Sequence, residues 1–310
     1  IEAIDANSIY EVPLKMLEEG LDVIVLKKLY YNGYSSPELT KWNDFLKKLG
    51  TPKSKISIGL IGKYVELQDA YKSIHEAFIH GGAANNCKVV VEAIHSEYID
   101  EHNVTQKLGH LHGVLVAPGF GNRGIEGKIT AIKYVRENNI PFFGICLGMQ
   151  CAVIEFARNV LGWKDAHSTE VSADTKHPVI DFTPDQRGVE EKGGTQRLGL
   201  YPAKLTPGSR AAAVYGTEVV YERHRHRFEV ANRYKPQLEE PGLRFTGISP
   251  DSRLVEIVEL ADHPWFVASQ FHPEFTSRPL RPNPLFDGFV GAAVALRDGR
   301  LATYTPRTVG

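Results

Sequence analysis

The feature that most constrains this chain is an apolar strand that turns directly into a helix at a single cysteine. Residues 141–145 are a short apolar run, and residues 147–160 place apolar side chains three and four positions apart, which predicts a helix. Cys146 lies between them, with Gly144 and Gly148 two residues away on either side. Glycine permits the sharp turn and close packing that a side chain would block. This junction predicts a nucleophile elbow in an α/β fold.

A second strand carries residues that could complete a site with Cys146. Residues 266–271 form a mostly apolar run, predicted as a strand, which leads into His272-Pro273-Glu274. If extended backbone continues through Pro273, His272 and Glu274 point the same way. The helix N-terminus beside Cys146 favours a thiolate, so we predict a nucleophile, its base His272 and an orienting carboxylate, Glu274. Taken singly, a cysteine beside a strand is more often a small core residue, so the two motifs carry the prediction together.

The order of strand and helix patterns predicts the fold class. Strands are predicted at 55–61, 87–94, 113–117 and 141–145, with helices at 69–80, 124–138 and 147–160. This alternation predicts an α/β fold with a mostly parallel central sheet flanked by helices. Shorter strands at 179–182, 197–205, 219–221 and 254–260 predict an antiparallel extension, and residues 285–296 predict a closing helix. Ligands bind at the carboxyl ends of such strands, where Gly119, Cys146 and His272 are expected to converge.

The composition is that of an ordinary globular chain. Of 310 residues, 42% are hydrophobic and 24% charged, and 36 basic against 37 acidic side chains give a net charge of −1. This balance argues against a bulk electrostatic attraction to nucleic acid or to a membrane. Three cysteines cannot all pair, and no apolar run of about 18 residues is present. We therefore predict a cytoplasmic protein.

Several motifs together resemble a known enzyme family. G-I-C-L-G-M-Q at 144–150 and Q-F-H-P-E-F at 270–275 resemble the class I glutamine amidotransferases, which use a cysteine–histidine–glutamate triad. Three more specific segments resemble the glutaminase domain of the CTP synthase family. They are G-K-Y-V-E-L-Q-D-A-Y-K-S at 62–73, G-G-T-Q-R-L-G at 193–199 and E-R-H-R-H-R at 222–227. The resemblance spans most of the chain and implies a flavodoxin-like fold and hydrolysis of glutamine to glutamate and ammonia.

The resemblance also implies an oxyanion hole and a glutamine pocket. The backbone N–H groups of Gly119 and Leu147 are the expected oxyanion donors. The chain has A-P-G-F-G at 117–121 where the family usually has P-G-G-F-G, but Pro118 precedes the donor, so we expect the hole to form. The implied glutamine-binding residues are Gly119, Leu147, Gly148, Met149, Gln150, Glu170 and Arg227. Among these, Arg227 is expected to bind the α-carboxylate and Glu170 the α-amino group.

The segment after this turn admits two interpretations. The resemblance implies that residues 120–124 form a lid beside the glutamine site, and that Arg123 couples this lid to the activator GTP. The same residues would equally suit a surface loop that caps the following helix.

The basic segment at 222–227 also admits alternatives. Its arginines alternate with His224 and His226, so that on a strand the arginines share one face. A solvated basic strand, a phosphate or nucleic-acid patch and a wall of the glutamine site are all open. We expect no metal at the two histidines, because no third ligand is indicated nearby.

We divide the chain into three parts. Residues 1–54 are predicted to be a linker and the end of an amidoligase domain, with helical pieces at 12–19 and 37–49 and an irregular segment at Lys27 and Lys28. Residues 55–297 are predicted to be the glutamine amidotransferase domain, and 298–310 a C-terminal tail. No G-x-x-x-x-G-K-[ST] phosphate loop occurs, so we expect the ATP and UTP sites in an N-terminal amidoligase domain outside this chain.

The resemblance fixes the expected ligands and partners. L-Glutamine is the expected substrate, and no cofactor is expected in this domain. The full enzyme is expected to use ATP and magnesium, to respond to GTP, and to form a homotetramer. Two rivals are a glutaminase that serves another synthase, such as that for GMP or carbamoyl phosphate, and a non-enzymatic assembly module. The segment at 62–73 disfavours the first, and intact Cys146, His272 and Glu274 disfavour the second.

Overall fold

The computed structural model describes residues 1–2, 5–182, 196–301 and 305. Its strands are β1 (Ser54–Gly62), β2 (Cys87–His95), β3 (Gly113–Val116), β4 (Phe142–Ile145), β5 (His167–Ser168), β6 (Pro178–Phe182), β7 (Arg197–Leu205), β8 (Val219–His226), β9 (Phe228–Val230), β10 (Leu243–Ile248), β11 (Val255–Leu260) and β12 (Phe266–Ser269). Its helices are α1 (Val12–Glu18), α2 (Leu21–Lys28), α3 (Thr40–Gly50), α4 (Lys72–Ala84), α5 (Val104–Leu108), α6 (Ile125–Glu137), α7 (Leu147–Asn159), α8 (Arg210–Tyr215), α9 (Lys235–Glu239) and α10 (Pro284–Arg297).

Within the described residues, one large sheet has the order β2-β1-β3-β4-β12-β11-β10-β7-β8. The first five strands pair in parallel, and each of the remaining strands pairs antiparallel with its neighbour. A smaller sheet contains β5, β6 and β9. The mostly parallel core with an antiparallel extension confirms the predicted fold class.

The core lies on both faces of the large sheet. Neighbouring residues such as Leu115 and Val116 enter different hydrophobic clusters, because successive side chains of a strand point to opposite faces. Helices α5, α6 and α7 cover one face, and α4, α8 and α10 cover the other. The predicted closing helix is confirmed as α10, where Phe286 packs edge-on against Phe78 and Phe143, with ring centroids 5.4 and 5.2 Å apart.

The N-terminal segment contains one more helix than predicted. The prediction of an irregular segment at Lys27 and Lys28 is wrong, because both residues lie in the last turn of α2. Gly20, at a φ of 69°, turns the chain out of α1, and Asp22 in the first turn and the two lysines in the last turn of α2 suit the helix dipole. Tyr10 and α3 pack against α4.

The boundaries of several other elements differ from prediction. The predicted strand at 219–221 extends to His226, and the predicted strand at 266–271 ends at Ser269. Strands β5, β9 and β10 were not predicted. The G-G-T portion of the motif at 193–199 lies outside the described residues, as do parts of the predicted tail. In the described part of the chain, no helix is long and apolar enough to cross a membrane. The domain boundaries at residues 54 and 297 stay predictions.

Candidate active site

The junction between β4 and α7 is a sharp turn with a strained backbone. Cys146 has φ 53° and ψ −103°, a conformation that residues other than glycine rarely adopt. A Cβ on Gly148 would lie 2.2 Å from the Val116 carbonyl oxygen, and a Cβ on Gly144 would lie 2.9 Å from the backbone of Gly148. Both glycines are therefore needed for α7 to approach β3 and β4 this closely.

Three strands of the large sheet meet around the buried Cys146 thiol. The Cys146 backbone N–H donates to the Ser269 carbonyl oxygen at 2.7 Å, which fastens the turn to the end of β12. The side-chain Nε2 of Gln270 lies 3.7 Å from the sulfur, and the Arg225 carbonyl oxygen of β8 lies 4.0 Å from it. The sulfur is thus enclosed by the ends of β4, β8 and β12.

His272 and Glu274 are in contact, but the expected extended backbone between them is wrong. Pro273–Phe275 form a short 3-10 helix, which suits proline because its fixed φ matches the first position of a helical turn. The imidazole Nδ1 still lies 2.8 Å from the Glu274 Oε1. The His272 backbone N–H donates to the Arg223 carbonyl oxygen at 2.8 Å, so β8 also supports this segment.

The electrostatics of this pair favour a charged imidazole. Burial alone lowers the pKa of His272, but the charge of Glu274 and the interaction with Cys146 outweigh it and raise the pKa to about 10. The Nε2 atom is buried and makes no hydrogen bond of ordinary length with the described residues. This is the atom left to exchange a proton with the thiol or with a substrate. Contacts of this kind are often long before a substrate is bound.

The loop after β3 is held at Phe120 and Gly121 by side chains of other segments. Lys63 Nζ donates to the carbonyl oxygens of Phe120 and Gly121 at 2.5 and 2.8 Å, and the Gly121 N–H donates to Glu170 Oε1 at 2.9 Å. Within the described residues, we find no acceptor for the N–H groups of Gly119 or Leu147. Leu147 reaches within 3.6 Å of the position that a Cβ on Gly119 would take, so these predicted oxyanion donors belong to adjacent segments.

Of the seven residues that the resemblance assigns to glutamine, five lie at the start of α7 or directly after β8, and Gly119 and Glu170 lie in the loops after β3 and β5. Gly148, Met149 and Gln150 follow Leu147 on α7 and are buried, and Met149 belongs to the hydrophobic cluster beneath the helix. Gln150 Nε2 donates to the Phe228 carbonyl oxygen at 3.1 Å. Arg227 is half-buried between β8 and β9.

Arg123 lies at the outer edge of the loop and is already paired. Its Nε lies 2.9 Å from Glu97 Oε1, and its guanidinium lies 5.4 Å from the centre of the Tyr64 ring. The neighbouring Phe120 is exposed and lies 5.7 Å from the Arg225 guanidinium. The loop therefore contacts both the start of the 62–73 motif and β8.

The two faces of β8 have opposite characters. Arg223 and Arg225 are exposed on one face, whereas His224 and His226 are buried on the other, where His224 Nδ1 lies 2.9 Å from His226 Nε2. Arg227 follows the strand rather than sharing its arginine face. The buried histidines pack near Arg197, Glu229 and Glu256. We call these five residues the buried charge cluster. In the described ranges, no group of three or more His, Cys, Asp or Glu side chains could hold a metal ion.

Sequence reasoning missed three side chains of the site. Gln270 contacts the Cys146 sulfur, and Lys63 and Lys128 donate to the loop after β3. Gln270 is the first residue of the Q-F-H-P-E-F segment and a polar residue near the end of an otherwise apolar run, which was the available signal. Lys63 follows the apolar run of β1 in the same way. Lys128 lies among helix residues and gives no comparable signal.

Comparisons with known proteins agree with this geometry. Residues 66–292 match the family described as glutamine amidotransferase class-I. The chain is 58% identical over 294 residues to a CTP synthase of Flavobacterium johnsoniae and 54% identical over 294 residues to one of Bacillus subtilis. Each alignment covers 95% of this chain and 55% of the relative, so the chain spans about half the length of these relatives.

A solved structure extends the comparison to three dimensions. The glutaminase domain of a Trypanosoma brucei CTPS, solved with bound acivicin, superposes with a TM-score of 0.73 at 36% identity. The superposition covers 77% of this chain and 94% of that domain. With its elbow cysteine, its matching fold and these relatives, the chain belongs to the class-I glutamine amidotransferase family.

Proposed function

We propose that this chain hydrolyses L-glutamine to glutamate and ammonia through Cys146, His272 and Glu274. The observation that carries the proposal is the meeting of a strained elbow cysteine with a buried histidine whose Nδ1 lies 2.8 Å from a buried carboxylate. Nucleophile, base and orienting group are thus held by two segments at one edge of the sheet, the β4–α7 turn and the chain after β12.

The first step forms a covalent intermediate. The Cys146 thiolate attacks the side-chain carbonyl carbon of glutamine, and a carbon–sulfur bond forms. The N–H groups of Gly119 and Leu147 stabilise the oxyanion of the tetrahedral adduct. His272, protonated near neutral pH because Glu274 raises its pKa, donates the proton that leaves with ammonia, and a glutamyl thioester remains.

The second step returns the enzyme to its starting state. His272 Nε2 takes a proton from water, the resulting hydroxide attacks the thioester, and glutamate leaves as the carbon–sulfur bond breaks. Glu274 holds the imidazole by its Nδ1 through both steps and stabilises the imidazolium. Glutamate and ammonia are the only products.

Glutamine is a zwitterion, so its binding needs groups of both signs. Arg227 is proposed to bind the α-carboxylate, because a guanidinium matches a carboxylate with two parallel hydrogen bonds. Glu170 is proposed to bind the α-amino group while it accepts from the Gly121 N–H. Met149 and Gln150 are proposed to line the pocket for the substrate side chain, with Gly148 allowing its close approach.

The larger reaction is proposed from the relatives. Because relatives named CTP synthase are nearly twice as long, we propose that an N-terminal amidoligase domain receives the ammonia and converts UTP to CTP with ATP and magnesium. Neither nucleotide nor metal takes part in the steps above. We also propose a homotetramer for the full enzyme, activation by GTP at the loop that carries Arg123, and the cytosol as the compartment. The three unpaired cysteines fit a reducing compartment.

The test is the release of glutamate from glutamine by this chain, with and without GTP. Cys146→Ala is the control, because the smaller side chain fits the same turn and should leave the melting temperature nearly unchanged. We expect Cys146-dependent release. A glutamine analogue with a leaving group should label Cys146 selectively, even where turnover is slow. A Cys146→Ala variant with normal hydrolysis would contradict the nucleophile assignment, and an absence of both turnover and labelling would favour an assembly module.

A further inference from the structure

Beneath the loop that carries Gly119 lies a charged side chain that the proposed reaction does not yet use. Lys128, in the first turns of α6, is fully buried, and its Nζ donates to the Ala117 carbonyl oxygen at 2.8 Å. Ala117 follows the last residue of β3, and its N–H donates to the Ile61 carbonyl oxygen at 2.9 Å. The residue that leads into the loop is therefore fixed at both of its backbone polar groups.

The ammonium of Lys128 is close to the predicted oxyanion donor. Its Nζ lies 4.0 Å from the position that a Cβ on Gly119 would take. At the other end of the loop, Lys63 holds the Phe120 and Gly121 carbonyl oxygens. Because three carbonyl groups of residues 117–121 point towards buried ammonium groups, the free N–H of Gly119 lies between two fixed points. The two lysines hold the loop in one conformation.

The hydrogen bond to Ala117 does not explain why a charged side chain is buried at position 128. In the described part of the chain, no carboxylate forms an ion pair with Lys128, and burial of an ammonium without a counter-ion is costly. A carbonyl oxygen at a strand end needs only a neutral donor or a water molecule. A positive charge is useful at this place when a negative charge develops nearby, and the nearest such place is the adduct at Cys146.

The titratable groups that influence Lys128 support this assignment. Burial and the neighbouring charge of Lys63 lower the pKa of Lys128 to about 8, whereas a negative charge on Cys151 or Cys146 raises it. Lys128 is thus electrostatically coupled to the nucleophile. Cys151 itself is buried, and burial raises its pKa to about 11, so it remains a neutral thiol near neutral pH.

We propose that Lys128 is a positioning residue for glutamine hydrolysis, which orients the Gly119 N–H and places a buried positive charge beneath the oxyanion. This inference rests on the proposed glutaminase function. It assigns to Lys128 no contact with the substrate. Its effect passes through the loop and through the field of its charge, so it should appear in the chemical step rather than in glutamine binding.

The test compares Lys128→Met with the parent chain. Methionine fills a similar volume without charge or donor, and Lys133→Met, at a partly exposed lysine of the same helix, is the matched control. We expect Lys128→Met to lower kcat by about 10- to 100-fold, with KM changed by less than about 3-fold. Lys133→Met should leave both unchanged. Lys128→Gln is a second neutral variant, with the same expectation, should Lys128→Met not fold.

Two further measurements separate this role from a structural one. Alkylation of Cys146 by iodoacetamide forms no oxyanion, so its rate should fall much less than kcat does in Lys128→Met. The parent kcat should fall above about pH 8, as Lys128 loses its proton, and this alkaline limb should be absent in Lys128→Met. Where turnover is too slow to measure, the rate at which a chloroketone analogue of glutamine labels Cys146 is measured in place of kcat. This rate is a suitable substitute because the ketone oxygen of the analogue occupies the oxyanion position.

The outcomes distinguish this inference from the function on which it rests. An unchanged kcat, a change confined to KM, or equal losses of kcat and of alkylation rate would each overturn the role of Lys128 and leave the glutaminase intact. A parent chain with neither turnover nor labelling of Cys146 would overturn the proposed function, and the role of Lys128 with it.

Discussion

Two sets of buried histidines and carboxylates lie close together in this molecule, and they behave in opposite ways. At the sheet edge, the pKa of His272 is raised to about 10. In the buried charge cluster, burial lowers the pKa of His226 to about 3 and that of His224 further still. All three histidines are buried, and all three face carboxylates. Burial and the mere presence of an acid therefore do not decide the charge of a histidine.

Distance and the surrounding charges account for the difference. Glu274 lies 2.8 Å from His272, whereas the carboxylate oxygens nearest His226 and His224 lie 3.4 and 3.7 Å away. The cluster also contains Arg197, whose Nη1 lies 2.7 Å from Glu256 and which disfavours a second positive charge. Burial raises the pKa values of Glu229 and Glu256 as well. A single short contact thus charges His272, whereas burial, together with the charge of Arg197, keeps the other two neutral.

The largest expected effect comes from removal of the short contact. Glu274→Gln keeps the shape but removes the charge, so the pKa of His272 should fall and kcat should decrease by about 10²- to 10⁴-fold. Glu256→Gln, the same change in the buried charge cluster, should alter kcat by less than about 10-fold. Initial rates of glutamate release give both values. Equal losses in the two variants would remove the distinction between the two sets.

The pH dependence of stability should separate the two sets in direction. The pKa of His272 is raised in the folded state, so its stabilisation is complete below about pH 6.5 and is lost as pH rises towards 10. The pKa of His226 is lowered, so its stabilisation is present above about pH 6.5 and is lost as pH falls towards 3. His272→Asn should therefore flatten the alkaline side of the stability profile, and His226→Asn the acid side.

Urea unfolding between pH 4 and 9.5 measures both changes. Each difference from the parent should amount to about 2–4 kcal/mol across its own pH range. The parent chain, measured at the same pH values, corrects for every other titrating group. If both variants flattened the same side of the stability profile, the charge states assigned to His272 and His226 would be contradicted.

The smallest expected effect concerns binding rather than chemistry. Arg227 follows the strand that carries His224 and His226, and its proposed partner is the α-carboxylate of glutamine. Arg227→Ala should raise KM for glutamine by about 10-fold with kcat changed by less than about 3-fold, the reverse of Glu274→Gln. Arg225→Ala, on the exposed face of the same strand, is the matched control. An unchanged KM would remove Arg227 from the glutamine pocket.

The sequence predicted the parts of this molecule that depend on neighbours along the chain. The turn at Cys146 follows from glycines two residues away, and β1 to β4 follow from apolar runs separated by helical patterns. Even the contact of His272 with Glu274 was foreseen, although its backbone was not. Proline at position 273 suits a helical turn as well as an extended chain, and only the packing against β8 distinguishes the two.

What the sequence did not predict depends on contacts between distant segments. Lys128 donates to a carbonyl 11 residues away, and Gln270 reaches a sulfur 124 residues away. The buried charge cluster unites β7, β8, β9 and β11, and the polar run in β8 is equally typical of a solvated strand. Burial of a charged face is decided by what packs upon it, and no local pattern records that partner.

The close approach of Gly148 to the Val116 carbonyl oxygen has a consequence for how such an enzyme can change over time. The position of the thiol above the sheet is set by a contact between the backbones of Gly148 and Val116. This contact requires glycine at position 148 but no particular side chain elsewhere. The residues that surround the thiol come from other segments, including β8 and the loop after β3. Substitutions in those segments can accumulate without displacing the nucleophile, so new pocket shapes can be sampled around a reactive atom that stays in place.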